Sequence, residues 1–238
     1  MTNPFGTDAM ASGYATSRPP IHPRVIELAL RRKFHRALDI GCGAGVSTKA
    51  LDGFAAHSIG LDPALAMLQF ARGAWFVAGT AEAIPFRHRS FDLITAAGSL
   101  NYADLERFFP EAARVLLPDG VLLVYDFSPG RVSGDDEWFA AFHERYPPPA
   151  QEGRELTPEI LVETATGFRL DRAQPFEIAL TLTPQFYLNY MLTETNVASA
   201  VRRGVLLEEI RTWCAETLWN DGAREVVFRG YFVCLVTA

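Results

Sequence analysis

Between Arg36 and Phe127, short apolar runs of β type alternate with segments of helical character: "RALDIG", the stretch to Ala55, "HSIGLD", "PALAMLQFAR", "AWFVAG", "SFDLITAA", "DLERFFPEAARVL" and "GVLLVYDF". Strands and helices taken in turn read as βαβ units, which build a parallel sheet covered by helices. The apolar runs are nearly continuous, as strands buried on both faces must be. A helix is expected to open at Asp62, with Pro63 at its first position, and another to end at "RVLLPDG", where Pro and Gly stop it.

Beyond Phe127 the texture changes. "SPGRVSGDDEWFAAFHERYPPPAQEGRE" is rich in Pro, Gly and charge yet carries an aromatic cluster, and reads as an excursion outside the sheet. "LTPEILVETATGF" and "LTPQFYLNYMLTETN" each open with a Thr cap and a Pro in the first turn, at Pro158 and Pro184, and Gly167 stops the first of them. A helix from about Gly204 to Leu218 and a closing apolar strand, "REVVFRGYFVCLVTA", complete the chain.

The run "ALDIGCGAGVST" sets three glycines behind the first strand, at Gly41, Gly43 and Gly45. A strand, a glycine turn and a helix in succession offer backbone N–H groups and bare Cα atoms to a small ligand. A dinucleotide fingerprint needs Gly or Ala at the sixth position of the motif, and Val46 stands there. About 20 residues on, Asp62 ends the next strand, where a carboxylate accepts hydrogen bonds from the two hydroxyls of a ribose. A helix cap explains Asp62 as well, and its two oxygens allow both roles.

Composition narrows the partners. A net charge of −6 over 238 residues argues against nucleic acid as the ligand. The one basic cluster, "RRKFHR", reads as the solvated end of a helix, where cations complement the dipole. Cys42, Cys214 and Cys234 are too far apart for a disulfide framework and lack the spacing of a metal site. Neither a signal segment nor a membrane-length apolar run is evident, which implies a soluble, cytoplasmic protein.

"LDIGCGAG", "GLDPALAMLQFAR", "AGTAEAIPFRHRSFDLITAAGSLNY" and "EAARVLLPDGVLLVYDF", in that order, resemble the class I S-adenosylmethionine-dependent methyltransferases, in particular the small-molecule group called type 11. The resemblance implies a Rossmann-like α/β fold: a seven-stranded, mostly parallel sheet with helices on both faces, the last strand antiparallel, and a small cap. It divides the chain into an N-terminal lid and first helix (1–35), a cofactor-binding half (36–127) and the rest of the same domain (128–238), with cap insertions at 128–155 and 183–204. It implies S-adenosylmethionine as cofactor, S-adenosylhomocysteine as product and no metal.

The same resemblance sets Asp39 behind the cofactor's amino group, Gly41, Cys42 and Gly43 beneath its methionine portion, Asp62 on the ribose and Met67 on the adenine. Pro63, Ala97 and the turn of Thr80, Ala81 and Glu82 complete that side. Thr80 stands where the family has an aspartate, so its contact to the adenine lacks charge assistance. Tyr14 and Arg18 would close over the cofactor from the N-terminal segment. On the acceptor side the implied residues are His22, Asn101, Tyr102, Tyr190 and Asn196. Asn101 and Tyr102 replace a frequent His and aromatic pair, and an amide cannot serve as a general base. The expected activity is direct in-line methyl transfer to a small molecule. Its rivals are a regulatory module that binds the cofactor without turnover, and a nicotinamide-dependent oxidoreductase, which Val46 disfavours. The acceptor, any catalytic base and the oligomeric state stay open.

Overall fold

A computed structural model describes residues 17–149 and 153–238. After helix α1 (Ile21–Ala29), the chain runs β1 (Phe34–Ile40), α2 (Val46–Lys49), β2 (Ala55–Asp62), α3 (Leu65–Leu68), β3 (Trp75–Ala78) and β4 (Phe91–Ala97). A 3-10 turn (Leu100–Tyr102), α4 (Leu105–Val115), β5 (Leu116–Phe127), the two-residue β6 (Arg131–Val132) and α5 (Glu137–Arg145) follow. The chain then forms α6 (Pro158–Thr164), β7 (Phe168–Leu182), α7 (Pro184–Met191), α8 (Thr195–Arg202), α9 (Leu207–Thr217) and β8 (Arg224–Thr237).

All these strands join one sheet, ordered β3-β2-β1-β4-β5-β8, with β7 on the far edge of β8. β1 to β5 are mutually parallel, and β8 runs antiparallel to both β5 and β7. The expected fold is therefore present, with β6 as a short eighth piece that continues the β5 edge of β8 at Val226 and Val227. The order reverses between β1 and β4, and in such sheets ligands bind outside the carboxyl ends of the strands at that reversal.

Two apolar layers sandwich the sheet. On one face α1 buries Ile21, Val25, Ile26 and Ala29 together with Leu93, Leu123 and Tyr125. On the other, α4 buries Leu105, Phe108, Phe109 and Ala112, spaced one helical face apart, against Ile94, Leu122 and Val124. Asp104 caps α4 by accepting from Glu106 N–H. Thr157 and Thr183 cap α6 and α7, each with proline in the first turn as the sequence indicates.

Several local expectations are corrected. The helix after Asp62 spans only Leu65–Leu68. Asp62 Oδ1 accepts from Ala64 N–H and holds that residue extended, while Arg72 turns back onto the carbonyls of Gln69 and Ala71. "RRKFHR" does not close a helix: α1 stops at Ala29, and His35 and Arg36 already belong to β1, their N–H groups bonded to Asp92. "LLPDG" lies in the irregular start of β5, with Asp119 at φ 59°, and α9 begins at Leu207, not Gly204. The excursion after Phe127 is partly ordered as β6 and α5. The fifteen-residue β7 was not expected, because charged residues and Pro175 interrupt its first half, as is usual for an edge strand.

Candidate active site

The tips of β1, β2, β4 and β5 converge on the glycine turn. Asp39, near the end of β1, is fully buried, and three hydroxyls donate to its carboxylate: Ser47 Oγ (2.6 Å) and Thr48 Oγ1 (2.7 Å) to Oδ2, and Thr95 Oγ1 (2.8 Å) to Oδ1. Burial raises its pKa against the pull of those bonds. Asp39 thus pins the start of α2 to β1 and β4 and fixes the glycine turn between β1 and α2.

Within the turn, Gly41, Gly43 and Gly45 all take positive φ, a region closed to most side chains. Their surroundings differ. A Cβ on Gly41 would lie 2.3 Å from Ser99 Cβ, and one on Gly45 would lie 2.7 Å from the Phe76 ring. On Gly43 it would meet only the Met67 methyl, at 3.2 Å. The bare backbone at Gly41 and Gly45 is therefore required by the protein's own packing. Cys42 is buried and its thiol is pushed up by that burial, which removes it as a nucleophile.

Asp62 terminates β2 and reaches the turn directly. Its Oδ2 accepts from Gly43 N–H at 2.8 Å and its Oδ1 from Ala64 N–H at 2.7 Å. Burial raises this carboxyl too, against those two bonds. Each oxygen retains a further lone pair, so the group still has capacity for a vicinal diol. Met67 lies in a small apolar cluster with Ala44, Ala64 and Phe70. A carboxylate with spare acceptor capacity, bare backbone at Gly43 and an apolar wall at Met67 fit a nucleoside-bearing cofactor.

The other residues expected on the cofactor side have partners of their own or face solvent. Pro63 and Thr80 are exposed, and Thr80 pairs with Ala83 in an isolated bridge beside Ala81. Glu82 accepts from Asp104 N–H at the head of α4. Ala97 ends β4 in register with Tyr125 of β5. Arg18 is engaged with the cap: it donates to Glu194 and to Thr193 O and lies over the Tyr190 ring. Tyr14 lies outside the described residues.

Of the residues expected on the acceptor side, His22 has its Nδ1 2.8 Å from Tyr125 Oη, and its ring stands edge-on to Phe127. Asn101 donates from Nδ2 to Asp126 Oδ2 at 3.1 Å. Tyr102 is half exposed. Tyr190 is buried, its hydroxyl accepting from Gly130 N–H, and Asn196 donates to the Tyr146 carbonyl. These last two side chains therefore hold the cap together.

Sequence reasoning missed Ser47, Thr48, Thr95, Tyr125, Asp126 and Glu194. The hydroxyls in "VST", directly after the glycines, were the available signal for the first two. The others are neighbours only across strands or helices. Among the described residues, no cluster of three or more His, Cys, Asp or Glu could hold a metal, and no helix is long and apolar enough to cross a membrane. A concavity of about 270 Å³, lined in part by Arg31, Phe34, Asp119 and Arg169, lies at the opposite, amino end of β1 and away from the glycine turn.

Comparison with known proteins agrees with this geometry. A family model described as a methyltransferase domain, type 11, matches residues 38–124. An uncharacterized methyltransferase of Bacillus subtilis, YcgJ, is 36% identical over 112 residues, covering 43% of this chain and 44% of that protein. A demethylmenaquinone methyltransferase of Thermotoga maritima is 36% identical over 113 residues, covering 44% of this chain and 49% of its own length. The chain thus spans about half the length of the curated relatives it matches. Among solved structures, a putative type II methyltransferase from Anaeromyxobacter dehalogenans superposes with a TM-score of 0.66 at 23% identity, over 91% of this chain and 95% of that one. Residues 38–124 are thus similar to a methyltransferase domain, and over most of its length the chain shares the fold of a solved methyltransferase.

Proposed function

We propose that the protein transfers a methyl group from S-adenosylmethionine to a small molecule. The observation that carries this reading is the Asp62–Gly43 bond, which joins the tip of β2 to the glycine turn of β1 at the sheet's reversal point. Asp62 and Ala64 would seat the ribose, Met67 would cover the adenine, and Gly41 to Gly43 would run beneath the methionine portion. The cofactor supplies a methyl group already activated on a sulfonium. The chain's part is to align an acceptor behind that methyl and keep water away.

The acceptor is chosen by the N-terminal segment with His22 and the cap insertions 128–155 and 183–204, all outside the matched domain, together with Asn101 and Tyr102 in the turn after β4. The formal charge of −6 favours a small acceptor over nucleic acid. Three free, buried cysteines suit a reducing compartment, and we place the activity in the cytoplasm.

Calorimetry with S-adenosylmethionine, S-adenosylhomocysteine and a nicotinamide dinucleotide tests the reading, followed by a metabolite screen with labelled cofactor. Binding of the first two and a methylated product are expected. Tight binding of the dinucleotide alone overturns the proposal, and cofactor binding without any product favours a regulatory module. Asp62→Ala is expected to weaken S-adenosylhomocysteine by about a hundredfold or more, since two charge-assisted hydrogen bonds contribute about 1.5–3 kcal/mol each.

A further inference from the structure

The turn after β4 stands directly against the glycine turn. Ser99 Oγ donates to Ile40 O at 2.7 Å, and Ser99 Cβ occupies the space that a side chain on Gly41 would need. Two residues on, Asn101 is tied at both ends. Its backbone carbonyl accepts from Arg154 N–H at 2.7 Å, where the chain returns from the excursion. Its Nδ2 donates to Asp126 Oδ2, and Asp126 Oδ1 is taken by Phe127 N–H at 2.8 Å. An ionised carboxylate only accepts, so the amide must turn its NH₂ toward Asp126. None of the described residues donates to Asn101 Oδ1, the other end of the amide.

We propose that Asp126 is a positioning residue that orients the Asn101 amide with its carbonyl oxygen toward the acceptor, so that the acceptor carries an O–H or N–H donor beside the atom methylated. This rests on the methyl-transfer reading and sharpens it. An acceptor offering only carbonyls or carboxylates at that position would face Oδ1 lone pair to lone pair. An acceptor with a hydroxyl or amine is held by a hydrogen bond that Asp126 keeps in register.

The environment of Asp126 makes the arrangement observable. Burial raises its pKa, opposed by the bonds from Asn101 and Phe127. Facing it across the sheet is Tyr231 of β8, whose hydroxyl donates to Leu156 O and whose own pKa is raised by burial and by the charges of Asp126 and Glu155. Once Asp126 is protonated it becomes a donor, and the amide gains a reason to turn over.

The test uses the full chain labelled with ¹⁵N and ¹³C. Asp126 Cγ and the Asn101 side-chain nitrogen are expected to titrate with one midpoint, above the ordinary carboxylate range. In Asp126→Asn the Asn101 amide is expected not to titrate there. An Asn101 signal that stays flat while Asp126 titrates, or that titrates unchanged in the variant, overturns the proposal. These readings need neither cofactor nor turnover, so they stand apart from the methyl-transfer reading itself. With an acceptor from the screen, Asp126→Asn is expected to raise KM about tenfold with a smaller change in kcat, and Asn101→Ala and the double variant to match it. Independent, additive losses overturn the coupling.

Discussion

Arg18 Nη1 donates to Glu194 Oε1 at 3.1 Å, a salt bridge between residues 176 positions apart in the sequence. Both side chains are nearly buried, and Arg18 also donates to Thr193 O and lies over Tyr190. The start of the described chain is thereby fastened to the joint between α7 and α8. Glu194→Gln removes the carboxylate from beside a guanidinium with little water to replace it. The expected loss is about 3 kcal/mol of stability, read by urea denaturation. A loss within about 0.5 kcal/mol, the range of a surface pair, would show that the bridge holds nothing.

This bridge also marks how far the sequence could be read. The parallel half of the sheet was legible because strands buried on both faces are written in apolar letters, and helix ends such as Thr157–Pro158 and Thr183–Pro184 declare themselves locally. Asp62 was legible from its spacing to the glycines, and Asp39 only through the resemblance that "LDIGCGAG" carries. What Asp39 binds was not: Thr95 lies 56 positions away and reaches it only through the β1–β4 register. The Arg18–Glu194 pair was hidden for the same reason, since partners brought together by topology leave no periodic signal.

The glycine turn separates packing from ligand approach at the level of single atoms. Gly41→Ala and Gly45→Ala each drive a methyl into Ser99 or the Phe76 ring, in addition to the positive-φ strain, and should lose about 3 kcal/mol or more. Gly43→Ala meets only the flexible end of Met67 and should lose about 1–2 kcal/mol from backbone strain. The same substitution should weaken S-adenosylhomocysteine about tenfold, because it displaces the Met67 methyl and disturbs the N–H that Asp62 holds. Denaturation of the three variants, with calorimetry on Gly43→Ala, checks this. Equal stability losses at all three positions would remove the distinction.

His22 gives the pH dependence of stability a definite sign. Burial first, and the Arg18 charge second, pull its pKa from the usual 6.5 down to about 3, so the ring is neutral at pH 7 beside Tyr125 and Phe127. The unfolded chain protonates this histidine below pH 6.5 while the folded chain does not. Between those two values the unfolded state binds the extra proton, and stability must fall as pH falls. The slope from one such group is about 1.4 kcal/mol per pH unit, which amounts to about 2 kcal/mol between pH 6.5 and 5. Buried carboxyls such as Asp39 and Asp126, with pKa values raised on folding, contribute the opposite slope. The histidine is therefore isolated by difference. His22→Asn keeps a polar atom near Tyr125 but cannot take up the proton, so wild type should lose stability relative to the variant steadily over that interval and hold a constant offset above pH 7. Parallel stability curves for the two proteins from pH 7 to 5 would mean that His22 titrates alike in the folded and unfolded chains, and that its seat against Tyr125 admits the charged ring.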